Sequence, residues 1–230
     1  MAVSTGFDQH VPEIERRIAE IKPHAIVLGL GPSAYLLPKV DKKLLAGVRL
    51  VGVNDVCRIM PVNDIVTMDG PTKALHPEGD RYPHIRNATP DRFWIYQDCW
   101  KAWMFQLPET MHSRCKPFAL RVMPRMDFTY LRDNPPKLAA QTIDHIIASP
   151  TGATMIAWRE GCRRIGVIGV DLLPQNHKLA NDHDRYIIDW FFWQIAHQSL
   201  LLRGRIANLS PFSTLSNFEQ ASWTPAKAVS

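Results

Sequence analysis

Four short apolar runs, each broken at its carboxyl end by glycine, asparagine or aspartate, restrict the fold of this chain more than any other feature. They are residues 25–31 (AIVLGLG), 48–54 (VRLVGVN), 64–69 (DIVTMD) and 163–171 (RRIGVIGVD). Runs of this length, rich in Val and Ile and lacking a polar alternation, suit strands buried on both faces. A parallel sheet provides such burial because its helical crossovers cover both faces. A helix around residues 35–45 separates the first two runs and completes the βαβ order. The expected fold is therefore α/β and Rossmann-like: a mainly parallel sheet with helices on both faces, its strand carboxyl ends lined up along one edge.

The rest of the chain fits around that frame. Val11, Ile14, Ile18 and Ile21 share a face at helical spacing, with Pro12 in the first turn and Pro23 as a stop. Residues 151–162 and 185–202 read as helices, and 205–211 (RIANLSP) as a last strand. The middle, about 76–136, differs in character: prolines recur at 77, 83, 90, 108, 117, 124, 135 and 136, and aromatics crowd into DRFWIYQDCWKAWMF. It reads as an extension of the sheet with irregular connections, an insertion acting as a lid or acceptor wall. Its aromatics suit either core packing or a stacking platform for a base or sugar. The expected division is a leading helix over 1–23, one nucleotide-binding domain over 24–218, and a loosely held tail over 219–230. A chain of 230 residues suffices for one such core.

Composition narrows the class. Hydrophobic residues at 46% and charged residues at 21% exclude disordered and fibrous proteins. The first residues lack a basic segment followed by an apolar one, and no apolar run is long enough to span a bilayer, which places the expected location in the cytoplasm. Cys57, Cys99, Cys115 and Cys162 form no C-x-x-C pair and suit reduced core thiols. The 27 Lys and Arg against 22 Asp and Glu give a net charge of +5, which favours phosphates, nucleic acid or anionic surfaces. The basic pairs Arg16-Arg17, Lys42-Lys43 and Arg163-Arg164 are scattered, however, as on solvated helix faces. Nucleic-acid association rests on the charge balance alone.

The turn Gly29-Leu30-Gly31-Pro32-Ser33-Ala34 has two functional readings beside a purely structural one. As G-x-G-x-x-A it matches a dinucleotide fingerprint, with Asn54-Asp55 ending the next strand where a ribose-binding acid would sit. Pro32 opposes this reading, because it removes a donor from the part of the turn that would face a pyrophosphate. In the other reading, the glycines let the backbone approach a ligand, Pro32 fits a first helical turn, and Ser33 places a hydroxyl beside free helical N–H groups.

Similar polar breaks occur at Asn54, at Asp69-Gly70-Pro71 and at Gly169-Val170-Asp171. The stretch Ser149 to Thr154 (SPTGAT) opens a helix with hydroxyls and Gly152. Each alone is a cap or a turn; in an open parallel sheet they converge on one crevice.

The ordered series GLGPS, GVND, MDGP, SPTGATMIAW, GVIGVDLLPQN, a later His and NLSPFSTL resembles the bacterial sialyltransferases of glycosyltransferase family forty-two. It also resembles the related pterin pyrophosphokinase-like proteins that share the G-P-S opening. The resemblance runs from about residue 24 to 218, apart from the middle segment. It implies a nucleotide-sugar donor as co-substrate, with Gly29 in the glycine turn and Gly31, Pro32 and Ser33 facing the nucleotide phosphate or ribose. It also implies Asn54 near the phosphate, Ser149, Thr151 and Gly152 at the phosphate or ribose, and Gly169, Val170 and Asp171 holding the cytidine and its ribose. His183 lies where those enzymes place the base that takes a proton from the acceptor hydroxyl, a task suited to a group whose ordinary pKa is about 6.5.

Two positions depart from the sialyltransferases. Leu173 stands where they carry a tyrosine. Asp69 replaces an asparagine, and a carboxylate beside a phosphate is unfavourable unless a divalent cation lies between them. Asp69 is thus the candidate magnesium ligand. The leading expectation is glycosyl transfer from a CMP-linked or other nucleotide sugar to an acceptor hydroxyl. Beside it stand magnesium-dependent pyrophosphoryl transfer, with Asp69 and Asp171 as ligands, and a non-catalytic nucleotide- or nucleic-acid-binding module.

Overall fold

The computed structural model describes residues 7–71, 82–119, 149–171 and 206–211. The strands are β1 (Ala25–Leu28), β2 (Arg49–Val53), β3 (Asp64–Thr67), β4 (Arg92–Tyr96), β5 (Cys115–Phe118), β6 (Ile165–Ile168) and β7 (Ile206–Asn208). The helices are α1 (Val11–Ile21), α2 (Lys42–Leu45), α3 (Tyr82–Arg86), α4 (Trp100–Gln106), α5 (Glu109–His112) and α6 (Ser149–Arg159), with a longer 3-10 helix over Pro32–Lys39.

The strands form one sheet in the order β5-β4-β3-β2-β1-β6-β7, and every pairing is parallel. The register sets Leu28 of β1 against Gly52 of β2 on one side and Ile168 of β6 on the other. Alternation along the strands sends side chains to opposite faces. Ala25 and Val27 join Val51, Val53 and Val66 beneath Ala153, Ile156 and Ala157 of α6. Ile26 and Leu28 turn the other way, onto Ile14, Ile18 and Ile21 of α1 and Leu36 and Leu37 of the 3-10 helix. Helices therefore cover both faces, as the uninterrupted apolar runs require. Burying an Ile or Leu side chain of this kind contributes about 1.5–3 kcal/mol.

One part of the sequence reading changes in detail, and the expected extension of the sheet by the middle segment is borne out. The expected helix over 35–45 is two pieces: the first is 3-10, carries Pro38 and ends at Lys39, Val40 is extended, and Asp41 restarts the chain by accepting the Lys43 N–H at 2.9 Å. Pro38 has no N–H to continue a helical ladder. The middle segment, over 82–119, adds β4 and β5 to the sheet, backed by Ile85, Trp103, Leu107 and Met111.

α1 is tied to the far end of the sheet. The Arg17 guanidinium donates to the carbonyls of Asn208 (3.2 Å), the last residue of β7, and Ser210 (3.0 Å), just beyond it. Among the described residues no helix is long and apolar enough to cross a membrane. The expected helix over 185–202, the tail over 219–230, Leu173 and His183 lie outside the described residues.

Candidate functional site

The strand order decides where a ligand crevice can form. From β1 the chain goes to β2 on one side, while β6 lies on the other, so the order reverses between β1 and β6. Open parallel sheets bind ligands outside the strand carboxyl ends at such a reversal. The Gly29–Ser33 turn follows β1 there and Gly169–Asp171 follows β6.

These two turns are bonded to each other at short range. Gly29 N–H donates to Ile168 O (2.8 Å) and Gly31 N–H to Gly169 O (2.6 Å). Gly169 N–H donates to the Ser33 hydroxyl oxygen at 2.7 Å. The Ser33 hydroxyl donates in turn to Asp171 Oδ1 (2.6 Å), and the Ser33 N–H to Asp171 Oδ2 (2.7 Å). Ser33 is wholly buried and Asp171 nearly so.

The contact distances explain the glycines. A Cβ on Gly29 would stand 2.3 Å from Gly169 O, and one on Gly31 would stand 2.8 Å from both Gly169 O and Asp171 Oδ2. A Cβ on Gly169 would meet Gly29 O at 2.6 Å, and its φ of 77° is left-handed besides. The glycines let two backbones touch.

This geometry changes the reading of the turn. The Ser33 N–H, expected to be free for a ligand, donates to Asp171. Gly31 N–H is engaged by Gly169, and Pro32 has no donor. A dinucleotide pyrophosphate needs those groups. Asp55, the acid at the ribose position of the dinucleotide reading, is buried and ion-paired with Arg58 at 3.5 Å.

Asn54 follows β2 in the left-handed region, φ 54°, a conformation asparagine tolerates better than most residues. Its N–H donates to Val66 O at 2.9 Å, and its Oδ1 lies 3.0 Å from the Thr67 hydroxyl. That hydroxyl also lies 3.1 Å from Asp69 O and accepts the Asp69 N–H at 3.3 Å. Its single proton is shared between two acceptors, so Thr67 couples the ends of β2 and β3. The sequence reading missed Thr67 because a threonine inside IVTM looks like an ordinary strand residue; its place two residues before the polar break at Asp69 was the available signal.

α4 braces the same strand end. Trp103 Nε1 donates to Asp69 O at 2.7 Å, and the Cys99 thiol lies 3.3 Å from Met68 O. Trp103 is fully buried, edge-on to Phe93 with ring centroids 5.1 Å apart. This member of the aromatic cluster is a packing residue. Phe105, at 90% exposure, is not.

Asp69 itself has an exposed side chain. Among the described residues no group of three or more His, Cys, Asp or Glu side chains is placed to hold a metal ion. The described residues alone do not form a magnesium seat around Asp69.

α6 runs antiparallel to the strands. Glu160, just past its end, pairs with Arg92 at the start of β4, so its first turn, Ser149 to Gly152, lies at the carboxyl edge. Thr151 and Gly152 are buried there, and the Thr151 hydroxyl has no hydrogen-bond partner among the described residues.

The opposite edge is built for stability. Buried Asp64 accepts from Arg49 Nε and Nη2, from Arg92 Nε (3.2 Å) and from Trp94 Nε1 (3.3 Å). All four cysteines are free thiols. Burial pushes Cys57 and Cys115 up to about 11 and raises Cys99 and Cys162 as well, so none is primed as a nucleophile at neutral pH.

Gly29, Gly31, Pro32, Ser33, Asn54, Asp69, Ser149, Thr151, Gly152, Gly169, Val170 and Asp171 thus belong to turns or helix starts along one edge of the sheet. Ser33 and Asp171 turn toward each other. His183 lies outside the described residues.

No protein-family model and no curated protein matches this chain. Among solved structures, a mutant of the alpha-2,3/8-sialyltransferase CstII matches over 84% of this chain and 84% of that chain, at 15% sequence identity and a TM-score of 0.43.

Proposed function

We propose that this chain is a glycosyltransferase that uses a nucleotide-sugar donor, with a CMP-linked sugar as the first candidate. What supports this reading is that Asn54, Asp69 and the start of α6 lie along the strand carboxyl edge that also holds the β1/β6 reversal, with Thr67 joining Asn54 to Asp69, and that the motifs follow one another in the order that resembles the sialyltransferases. The start of α6 would offer the leaving phosphate the N–H groups that a first helical turn leaves without intrahelical partners, together with the Thr151 hydroxyl, which has no hydrogen-bond partner among the described residues. Asn54 borders the same edge, and the joined turns after β1 and β6 form the floor on which the nucleoside rests.

In the reaction, the acceptor oxygen bonds to the anomeric carbon as the bond from that carbon to the nucleotide phosphate oxygen breaks. The departing phosphate keeps the electron pair, and His183 takes the acceptor proton. Rate enhancement comes from positioning and from donors aimed at the leaving phosphate.

Thermal shifts with CMP, UDP, GDP, ATP and NAD, each with and without Mg²⁺, test the ligand class. A shift with CMP that needs no metal is expected. A response only to ATP with Mg²⁺ would replace this reading by pyrophosphoryl transfer, and a response to none of the five would remove it. His183→Ala should keep the nucleotide shift and lose turnover of a CMP-linked sugar; unchanged turnover takes His183 out of the reaction.

A further inference from the structure

The bond between Ser33 and Asp171 plays no part in glycosyl transfer as described, yet it joins two of the most deeply buried polar side chains of the carboxyl edge. We propose that Asp171 is the resident anion of the glycine turn: its carboxylate fills the seat that the sequence motif offers to a phosphate, and the turn therefore admits no phosphate from a ligand.

A glycine turn leading into a helix presents N–H groups and a hydroxyl to an anion. Here both oxygens of one carboxylate take that place, Oδ2 from the Ser33 N–H at 2.7 Å and Oδ1 from the Ser33 hydroxyl at 2.6 Å. The hydroxyl's accepting side is used by Gly169 N–H at 2.7 Å, and Gly31 N–H by Gly169 O at 2.6 Å. A carboxylate bonded by two donors mimics two oxygens of a phosphate, and it comes from the far side of the strand reversal, 138 positions along the chain.

Two consequences follow for ligand choice. Dinucleotides, whose pyrophosphate must sit on this turn, are refused by charge as well as by lack of donors. A mononucleotide whose phosphate sits elsewhere on the edge is not. Asp171 acts through Ser33 and Gly169, setting the position of the Gly169–Val170 backbone, and is a positioning residue.

The test removes the resident anion and supplies another. Asp171→Ala leaves the Ser33 N–H and hydroxyl facing a cavity the size of a carboxylate. Formate or inorganic phosphate should then raise its melting temperature by ~2 °C or more, saturably, where chloride at equal ionic strength does not. The unaltered chain should show no such selective response. The proposal is overturned if phosphate selectively stabilises the unaltered chain and Ser33→Ala abolishes that effect, or if Asp171→Ala melts like the unaltered chain and ignores formate.

Should Asp171→Ala fail to fold, hydrogen exchange on the full chain gives the answer. Peptides covering 31–34 and 168–171 should be protected in the unaltered chain and exchange at least tenfold faster in Asp171→Asn, whose amide can accept only one of the two bonds. Equal exchange in the two would overturn the assignment. Formate, phosphate and exchange report on the turn whichever nucleotide the edge takes, so their outcome is separate from that of the CMP experiments.

Discussion

Replacing Gly169 by alanine tests the joint between β1 and β6. Two costs apply. The residue's φ of 77° lies in the left-handed region, where a side chain costs roughly 1–2 kcal/mol. The new Cβ would also stand 2.6 Å from Gly29 O and 2.7 Å from Ala34 Cβ, both held in the core, and overpacking of this kind costs about 1–3 kcal/mol. The expected loss is about 2–5 kcal/mol, or roughly 4–20 °C in melting temperature for a domain of this size.

Three other glycines separate the two costs. Gly161, at φ 91° with nothing within 4 Å of a built Cβ, carries only the conformational cost. Gly29, whose Cβ would meet Gly169 O at 2.3 Å, carries only the contact cost. Gly70 carries neither, and its alanine variant should stay within about 0.5 kcal/mol of the parent. Urea unfolding followed by tryptophan fluorescence measures all four. If Gly169→Ala loses no more stability than Gly161→Ala, the close approach of the two turns is not what demands glycine.

Further expectations concern the rest of the frame. Asp64→Asn leaves the Arg49 guanidinium without its carboxylate and Arg92 with Glu160 alone; because the two arginines are 30% and 24% exposed, the loss should be about 2–3 kcal/mol, below that of a fully buried pair, and a urea-unfolding loss under about 0.5 kcal/mol would refute the network's role. Cys57 and Cys115, held at about 11, should alkylate at pH 8 on the order of a hundredfold more slowly folded than unfolded, read by mass spectrometry of tryptic peptides; equal rates would refute their burial. Hydrogen bonds from Arg16 and Arg17 hold the Glu13 carboxyl down at about 2 against a usual 4.5. A depressed carboxyl stabilises the fold above its unfolded pKa and loses that contribution as pH falls through the folded one. The melting difference between the parent and Glu13→Gln should therefore be constant above pH 4.5 and shrink between 4.5 and 2, and a difference that grows on acidification contradicts the pairing.

Much of the frame was legible locally. Runs such as AIVL and DIVT announce strands buried on both faces because apolar burial on a pleated strand leaves its mark on adjacent residues. Val11 to Ile21 announces a helix for the same reason at a different period. Pro38 was visible too, but its effect on residues 35–45 was underread: the apolar pattern continues past it to Leu45 while the first helix ends one residue later, at Lys39. Thr67 and Trp103 looked like ordinary strand and helix residues, since what distinguishes them is a bond to the backbone of another element.

By itself the sequence determined that the strands would be mainly parallel and buried, that their polar breaks would share an edge, and that the glycines after β1 would allow a close backbone approach. Only the tertiary structure decided which of those breaks face one another. Strand order places Asp171 against Ser33 across 138 positions and turns an apparent phosphate cradle into a joint filled by the protein's own carboxylate. Periodicity records whether a residue is buried, but a hydrogen bond between distant turns depends on sheet order and register, which no single segment carries.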